Sequence, residues 1–331
     1  MRKLSIYNLK NYFFAVIFLL PFVFLYLIIF YMSMDVALDR DNYLHIMSFP
    51  FEGREEPLIH IYSYIIGFFI SNPVYKLLFL QFISILTLFV VFFKKNNPVN
   101  LSGLVKVFLC LVIFFGIFSN MFGVQLRIGY ATLIFLFIVF FLNIRPNVYS
   151  VPIFLLPCLM HSGLIFAILI YYIFEYFKIK SFKRFVIFLL GSIIASTLMI
   201  GFLPIIFEKI GVSSYYNSYL EGGDDFGRKY PFTVLFYMFF LVFILYLFRR
   251  KDIKDIQFWY GMSGILLVYM GFVLKFYISF KMLVPISAFM YIYIISKLNF
   301  NSLNSYIFII VSFLLVPFSF LILMLQVGLL K

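Results

Sequence analysis

QLRIGYATLIFLFIVFFL, residues Gln125–Leu142, carries one charge, Arg127, at its head and an unbroken uncharged, largely apolar run behind it. A stretch of about 17 such residues is long enough to cross a bilayer as a helix. Outward from it the same pattern recurs in Phe108–Phe122, Val151–Met160 and Leu164–Phe177. The 331 residues are 65% hydrophobic and 12% charged, with mean hydropathy +1.09. A soluble domain needs far more polar surface, so the chain reads as an all-α polytopic membrane protein. Its length fits a single integral membrane domain over residues 1–331.

Arg127 and His161 stand out because both interrupt apolar runs. An ionisable group at membrane depth is costly and marks a candidate site of function. Eleven spans are predicted, at roughly 12–33, 74–93, 101–120, 127–143, 148–160, 162–177, 185–207, 231–248, 256–274, 279–296 and 304–326. Leu58–Ile70 is apolar but short and ends at Ser71-Asn72-Pro73, so it reads as a re-entrant or interfacial helix on the outer side. Segment 148–160, with Pro152 and Pro157, reads as a broken helix reaching the outer face near His161. The N-terminal run Phe13–Tyr31 lacks a small-residue cleavage site behind it and reads as an uncleaved first helix.

With the N-terminus inside, sixteen of the 26 Lys and Arg fall on the inner side against Glu175, Asp252 and Asp255. The whole net charge of +13 is then cytoplasmic, as the positive-inside rule requires. That charge therefore carries no implication of nucleic acid. If Leu58–Ile70 spanned, the basic clusters Lys178–Arg184 and Arg249–Lys254 would face outward. Two outer loops result, residues 34–57 and 208–231. All three histidines and ten of the thirteen acids lie on or near that face, so any chemistry is expected there.

Arg127 with Gln125 beside it suits an anion ligand, because a guanidinium forks onto phosphate or carboxylate. Snorkelling to headgroups is its plain alternative. His161, between Pro157 and Gly163, suits a proton acceptor near pH 7, against a simple helix-end histidine. In the first loop, Arg40, Asp41 and Tyr43 suit a grip on sugar hydroxyls, and Glu52, Glu55 and Glu56 are rival bases. The alternative there is a solvated loop with internal ion pairs. Arg54 is a second phosphate candidate. The stretch Glu221–Tyr230 reads as a Gly-hinged lid whose Arg228 closes over an anion, and it lacks the repeated acid spacing of a calcium loop. Lys275 and Lys281 bracket an aromatic turn at the outer surface, where snorkelling competes with diphosphate neutralisation. Cys110 and Cys158 read as small buried hydrophobes, and no metal site is expected.

The order Arg40-Asp41-Asn42-Tyr43, Glu56-Pro57, Arg127-Ile128-Gly129-Tyr130-Ala131 and His161-Ser162-Gly163, followed by Lys281 before Pro285, resembles the Wzy-type polysaccharide repeat-unit polymerases, in particular their EpsG-like branch. An arginine is expected where this chain has Lys281. The resemblance covers most of the chain and rests on short motifs. It implies a fold related to the class-C membrane glycosyltransferases. It implies undecaprenyl-diphosphate-linked glycan as donor and acceptor, at the outer face of the bacterial inner membrane, in O-antigen, capsule or exopolysaccharide synthesis. It also implies chemistry without metal or other cofactor, with a chain-length regulator as a possible protein partner beside membrane lipid. On this reading Arg127, Arg54, Arg228 and Lys281 hold the diphosphate, and His161 or a glutamate is the base. The rivals are a membrane O-acyltransferase or glycan ligase, and a glycan-lipid transporter. An acyltransferase usually carries Arg and His in or beside its first spans, and this first span has neither. A transporter needs polar residues through the whole membrane, whereas these crowd one face.

Overall fold

The computed structural model describes residues 17, 19–28, 30–31, 40–52, 56–96, 101–117, 126–200, 202, 253–274, 278–297, 306–307 and 309–311. Among the described residues every regular element is helical. They form two compact units, one of residues 1–164 with 298–331 and one of residues 165–297.

The first unit contains α1 (Leu19–Ile28), α2 (Arg40–Ser48), α3 (Pro57–Gly67), α4 (Pro73–Asn96), α5 (Leu101–Ile117), α6 (Leu126–Leu136) and α7 (Val151–Met160). Helix α4 starts sharply because Pro73 follows Asn72, whose Oδ1 accepts the Val74 amide at 2.9 Å. Its 24 residues extend about 36 Å, enough to cross a bilayer. Its last turn carries Lys94 and Lys95, where cations complement the negative end of the helix dipole. The Lys94 ammonium also donates to the Phe141 carbonyl, at the end of a π-helical turn, Phe137–Phe141, that continues α6. Lys95 lies 5.1 Å over the Phe140 ring. Helix α1 packs on α5 through Phe22 against Phe108 and Tyr26 against Phe115.

Helix α3 spans only 11 residues, about 16 Å, half the hydrocarbon thickness. It packs on α2, α4 and α7 and is followed by the exposed pair Phe68 and Phe69. The break expected within segment 148–160 is absent: Val148–Met160 runs as one helical stretch, and the chain leaves helical geometry only at His161, whose backbone is extended. A one-turn 3₁₀ element at Val148–Ser150, capped reciprocally by Asn147 and Ser150, precedes α7, and Pro157 lies within α7.

The second unit holds α8 (Leu164–Tyr176), whose first residue adjoins the boundary, α9 (Phe182–Ile200), α10 (Ile256–Met262), α11 (Gly264–Phe272) and α12 (Ile278–Lys297). The stretch 256–274, expected as one span, is two helices that meet at Ser263. The Ser263 hydroxyl donates to the Tyr260 carbonyl at 2.6 Å, a local bond that competes with the regular helix ladder. Tyr171, Tyr260 and Phe289 form an aromatic core with centroids 4.8–5.4 Å apart. The Tyr260 hydroxyl donates to the Ala167 carbonyl at 2.9 Å, so this buried polar atom is satisfied. Pro73–Lys95 and Phe182–Met199 are long and apolar enough to cross a membrane by themselves.

Helices α10 and α12 touch where Gly261 faces Met290. A Cβ built on Gly261 would lie 2.3 Å from Met290 Cβ and 2.9 Å from its Cα. The backbones must part to admit a methyl group, an overpacking cost of about 1–3 kcal/mol. Gly261→Ala should therefore lower the thermal midpoint of the purified protein by several degrees; an unchanged midpoint would mean that this contact is looser than the geometry indicates.

Candidate functional site

Three helix ends in the first unit bring together residues far apart in sequence. Glu56 precedes Pro57, which starts α3 as a first-turn proline. Its backbone is left-handed, with φ 59° and ψ 67°. For a residue other than glycine that conformation costs about 1–3 kcal/mol of strain, which surrounding contacts must hold. Arg127 is the second residue of α6, where the first amides of a helix lack internal partners. His161 ends α7. Its extended backbone breaks the helix, while its amide still bonds Pro157 O at 3.0 Å and its carbonyl accepts Leu164 N at 3.0 Å.

The Glu56 carboxylate joins the other two. One oxygen, Oε2, lies 2.6 Å from Arg127 Nη1, and the other, Oε1, lies 2.7 Å from His161 Nδ1. A carboxylate can only accept, so Nδ1 carries the proton and donates, and in neutral His161 the lone pair sits on Nε2. The Glu56 side chain is 9% exposed, against 27% for Arg127 and 21% for His161. The acid is thus the buried centre, and the two basic groups are its partly open flanks. Burial alone would raise the Glu56 carboxyl, but the His161 hydrogen bond and the nearby Arg127 and His161 charges outweigh it and hold the group below its ordinary value.

Tyr43 on α2 completes the setting. Its hydroxyl accepts the Arg127 amide at 3.4 Å, and its ring lies 5.9 Å below the guanidinium carbon. This cation–π contact holds the arginine from one side. One turn further along α6, Tyr130 lies beside the Gln81 side chain of α4, with Tyr26, Tyr43 and Tyr62 around it. The site therefore sits on a polar aromatic base within an apolar unit.

Of the residues singled out from the sequence, Glu56, Arg127, His161 and Tyr43 come together. Arg40 and Asp41 lie on the first turn of the same helix as Tyr43, with Asp41 exposed. Glu52 is exposed, and its carboxylate lies 3.2 Å from His45 Nε2. Arg54, Glu55, Gln125, Arg228 and Lys275 lie outside the described residues. Lys281 belongs to α12, with its side chain outside them. Among the described residues no group of three or more His, Cys, Asp and Glu is arranged to hold a metal ion. Sequence reasoning missed two polar residues that the structure brings into the same unit, Lys76 and Gln81. Both interrupt the apolar run of α4, the signal that draws attention to Arg127 and His161.

The lowered Glu56 value has a stability consequence with a definite sign. A group with a depressed folded value stabilises the fold fully above its ordinary value, 4.5, and loses that contribution as pH falls through the folded value. Glu56→Gln should cost about 2 kcal/mol at neutral pH, somewhat under the penalty for breaking a fully buried pair, because both partners are part-solvated. Melting curves of both proteins should converge below pH 4.5; a gap that persists unchanged into acid would mean that the carboxylate charge is not the cause.

No curated protein and no solved structure matches the chain. The EpsG family matches residues 6–328, nearly the whole length. Its members are polymerase-like membrane proteins of polysaccharide synthesis, acting on lipid-linked glycans. The apolar helices, the short α3, and the Glu56-Pro57, Arg127-Ile128-Gly129-Tyr130 and His161-Ser162-Gly163 steps all fall inside that match, and the chain belongs to the EpsG family.

Proposed function

We propose that the protein is a repeat-unit polymerase that joins undecaprenyl-diphosphate-linked oligosaccharides at the outer face of the bacterial inner membrane, and that Glu56, Arg127 and His161 are its reaction centre. The observation that carries this reading is the shared carboxylate. It pairs an imidazole as a base-and-orienter couple and, on its other oxygen, a guanidinium suited to an anion.

The chemistry balances without a further reactant. A glycosyl diphosphate is already activated. The acceptor hydroxyl oxygen forms a bond to the anomeric carbon as the bond from that carbon to the diphosphate oxygen breaks. The bonding pair leaves with the lipid diphosphate. The hydroxyl proton passes to His161 Nε2, and the imidazolium that forms is stabilised at Nδ1 by Glu56. Attack from the face opposite the leaving group inverts the anomeric centre. The free edge of the Arg127 fork meets the developing diphosphate charge, and its pairing with Tyr43 and Glu56 fixes it in advance. Glu56 is thereby an orienter of His161 instead of a separate base. Asp41 and Arg40, at the open end of α2, are proposed glycan contacts. Arg54, Arg228 and Lys281 are proposed further diphosphate ligands, Glu52 and Glu55 are the rival bases, and Gln125 is a proposed glycan contact.

The topology proposed with this function has eleven spans, a cytoplasmic N-terminus, and α3 as an interfacial or re-entrant helix in a single membrane domain related to the class-C glycosyltransferases. A chain-length regulator is the proposed protein partner. An acyltransferase would share the His161–Glu56 couple, but the group it releases is the acyl carrier and not a lipid diphosphate, which is the leaving group proposed here for Arg127.

Arg127→Ala should lower the transfer rate by about a hundredfold or more, the usual effect of removing one preorganised charge. In cells it should abolish long glycan chains while single repeat units are still displayed. His161→Ala should lower the rate by about 10²–10⁴-fold. Surface polysaccharide resolved on a gel checks both. A normal ladder in Arg127→Ala at wild-type protein level would sink the reading, and an unchanged ladder with altered glycan mass would point to acyl transfer.

A further inference from the structure

Lys76 lies on α4 in a helix long enough to span, and it is buried. Among the described residues no carboxylate stands within ion-pair distance of it. Its ammonium donates instead to the Met47 carbonyl at 2.6 Å. Ser63 Oγ donates to the same carbonyl at 3.0 Å, and the Tyr62 hydroxyl donates to the Lys76 carbonyl at 2.7 Å. Gly67 leaves the room the ammonium occupies, for a Cβ there would come within 3.3 Å of Nζ.

Met47 lies in the last turn of α2, a helix of nine residues. A helix that short does not hold itself together in isolation, and its final carbonyls lack internal partners. Its dipole is negative at that end, which is where a cation is stabilised. A neutral donor would satisfy one carbonyl, but burying a full charge is costly unless the charge is used. Here it is used on the helix terminus, opposite Asp41 in the first turn. Tyr43 is one turn before Met47, at the four-residue spacing that puts both on one helix face, and both are buried. Tyr43 in turn touches Arg127 through its hydroxyl and its ring.

We infer that Lys76 is a positioning residue: its buried ammonium clamps the C-terminal end of α2 to α4 and so sets Tyr43 beneath Arg127. Its effect on glycan transfer rests on the polymerase reading above; its effect on α2 does not.

Hydrogen–deuterium exchange of the purified full-length protein separates the two. Lys76→Met should speed exchange of the amides in Arg40–Ser48 by about tenfold or more, as a local unit loses protection. Gly67→Ala, which presses on the ammonium without removing it, should give a smaller increase in the same peptide. Unchanged protection of α2 in Lys76→Met overturns the inference; if that variant does not accumulate, unchanged protection in Gly67→Ala does so. In polymer synthesis, Lys76→Met should lose about tenfold or more, and Lys76→Arg, which keeps the charge but not the compact shape that the room beside Gly67 admits, should lose less than Lys76→Met. Combining Lys76→Met with Tyr43→Leu should be no worse than the more damaging single change, because both act on one path. Losses that multiply would make Lys76 a merely structural residue and overturn the inference. If Arg127→Ala leaves chain length untouched, the polymerase reading fails, while the exchange result still decides the role of Lys76.

Discussion

A carboxylate shared between a guanidinium and an imidazole is the contact around which the first unit is organised. Glu56, Arg127 and His161 end or begin three different helices, and each group alone would be a poor occupant of an apolar unit. Together they offset one another: the acid satisfies both bases, and both bases keep the acid ionised. Removing one partner leaves a part-buried charge behind, which is why such a pair is costly to break even where forming it gains little. The same contact holds Glu56 in a left-handed backbone just before a proline, a conformation that loose surroundings would not maintain.

The helices around this contact are shaped by what they must deliver. Helix α3 is too short to cross a bilayer and places Glu56 at its head. Helix α7 is ended by the extended His161 backbone, so that the imidazole stands at a joint and not along a smooth helix face. Helix α6 begins at Leu126, so Arg127 has its amide still free for Tyr43. Irregular backbone inside a membrane protein is tolerated where it is covered by protein or lines a polar site. Here the irregular joints coincide with the ionisable residues.

Much of this is legible in the sequence, for identifiable reasons. Arg127 and His161 announce themselves because a charge or an imidazole between long Phe, Leu and Ile runs is costly unless it has a partner. The short length of Leu58–Ile70 anticipates a short helix, whereas Pro152 and Pro157 do not break theirs: Pro152 sits in its first turn, where no internal hydrogen bond is lost, and Pro157 is carried within it. What the pattern of residues does not carry is pairing. Glu56 is one of three nearby glutamates with the same local chemistry, and only the turn into Pro57 selects it to meet residues 71 and 105 positions away. Lys76 and Gln81 escape notice because a long helix hides polar residues among its apolar ones, although the rule applied to Arg127 reaches them equally. The break at Ser263 depends on a hydroxyl-to-carbonyl bond within one turn, which hydropathy does not register.

If the three residues are one reaction centre, they must fail as a unit. The most direct measurement is the rate of glycan transfer from lipid-linked repeat units by purified protein carrying Glu56→Gln, His161→Ala, or both. A base that works only when oriented by its carboxylate loses everything once either member is gone, so the double variant should be no slower than His161→Ala alone. Two losses that multiply in the double variant would show that Glu56 and His161 act separately, and would contradict a shared centre.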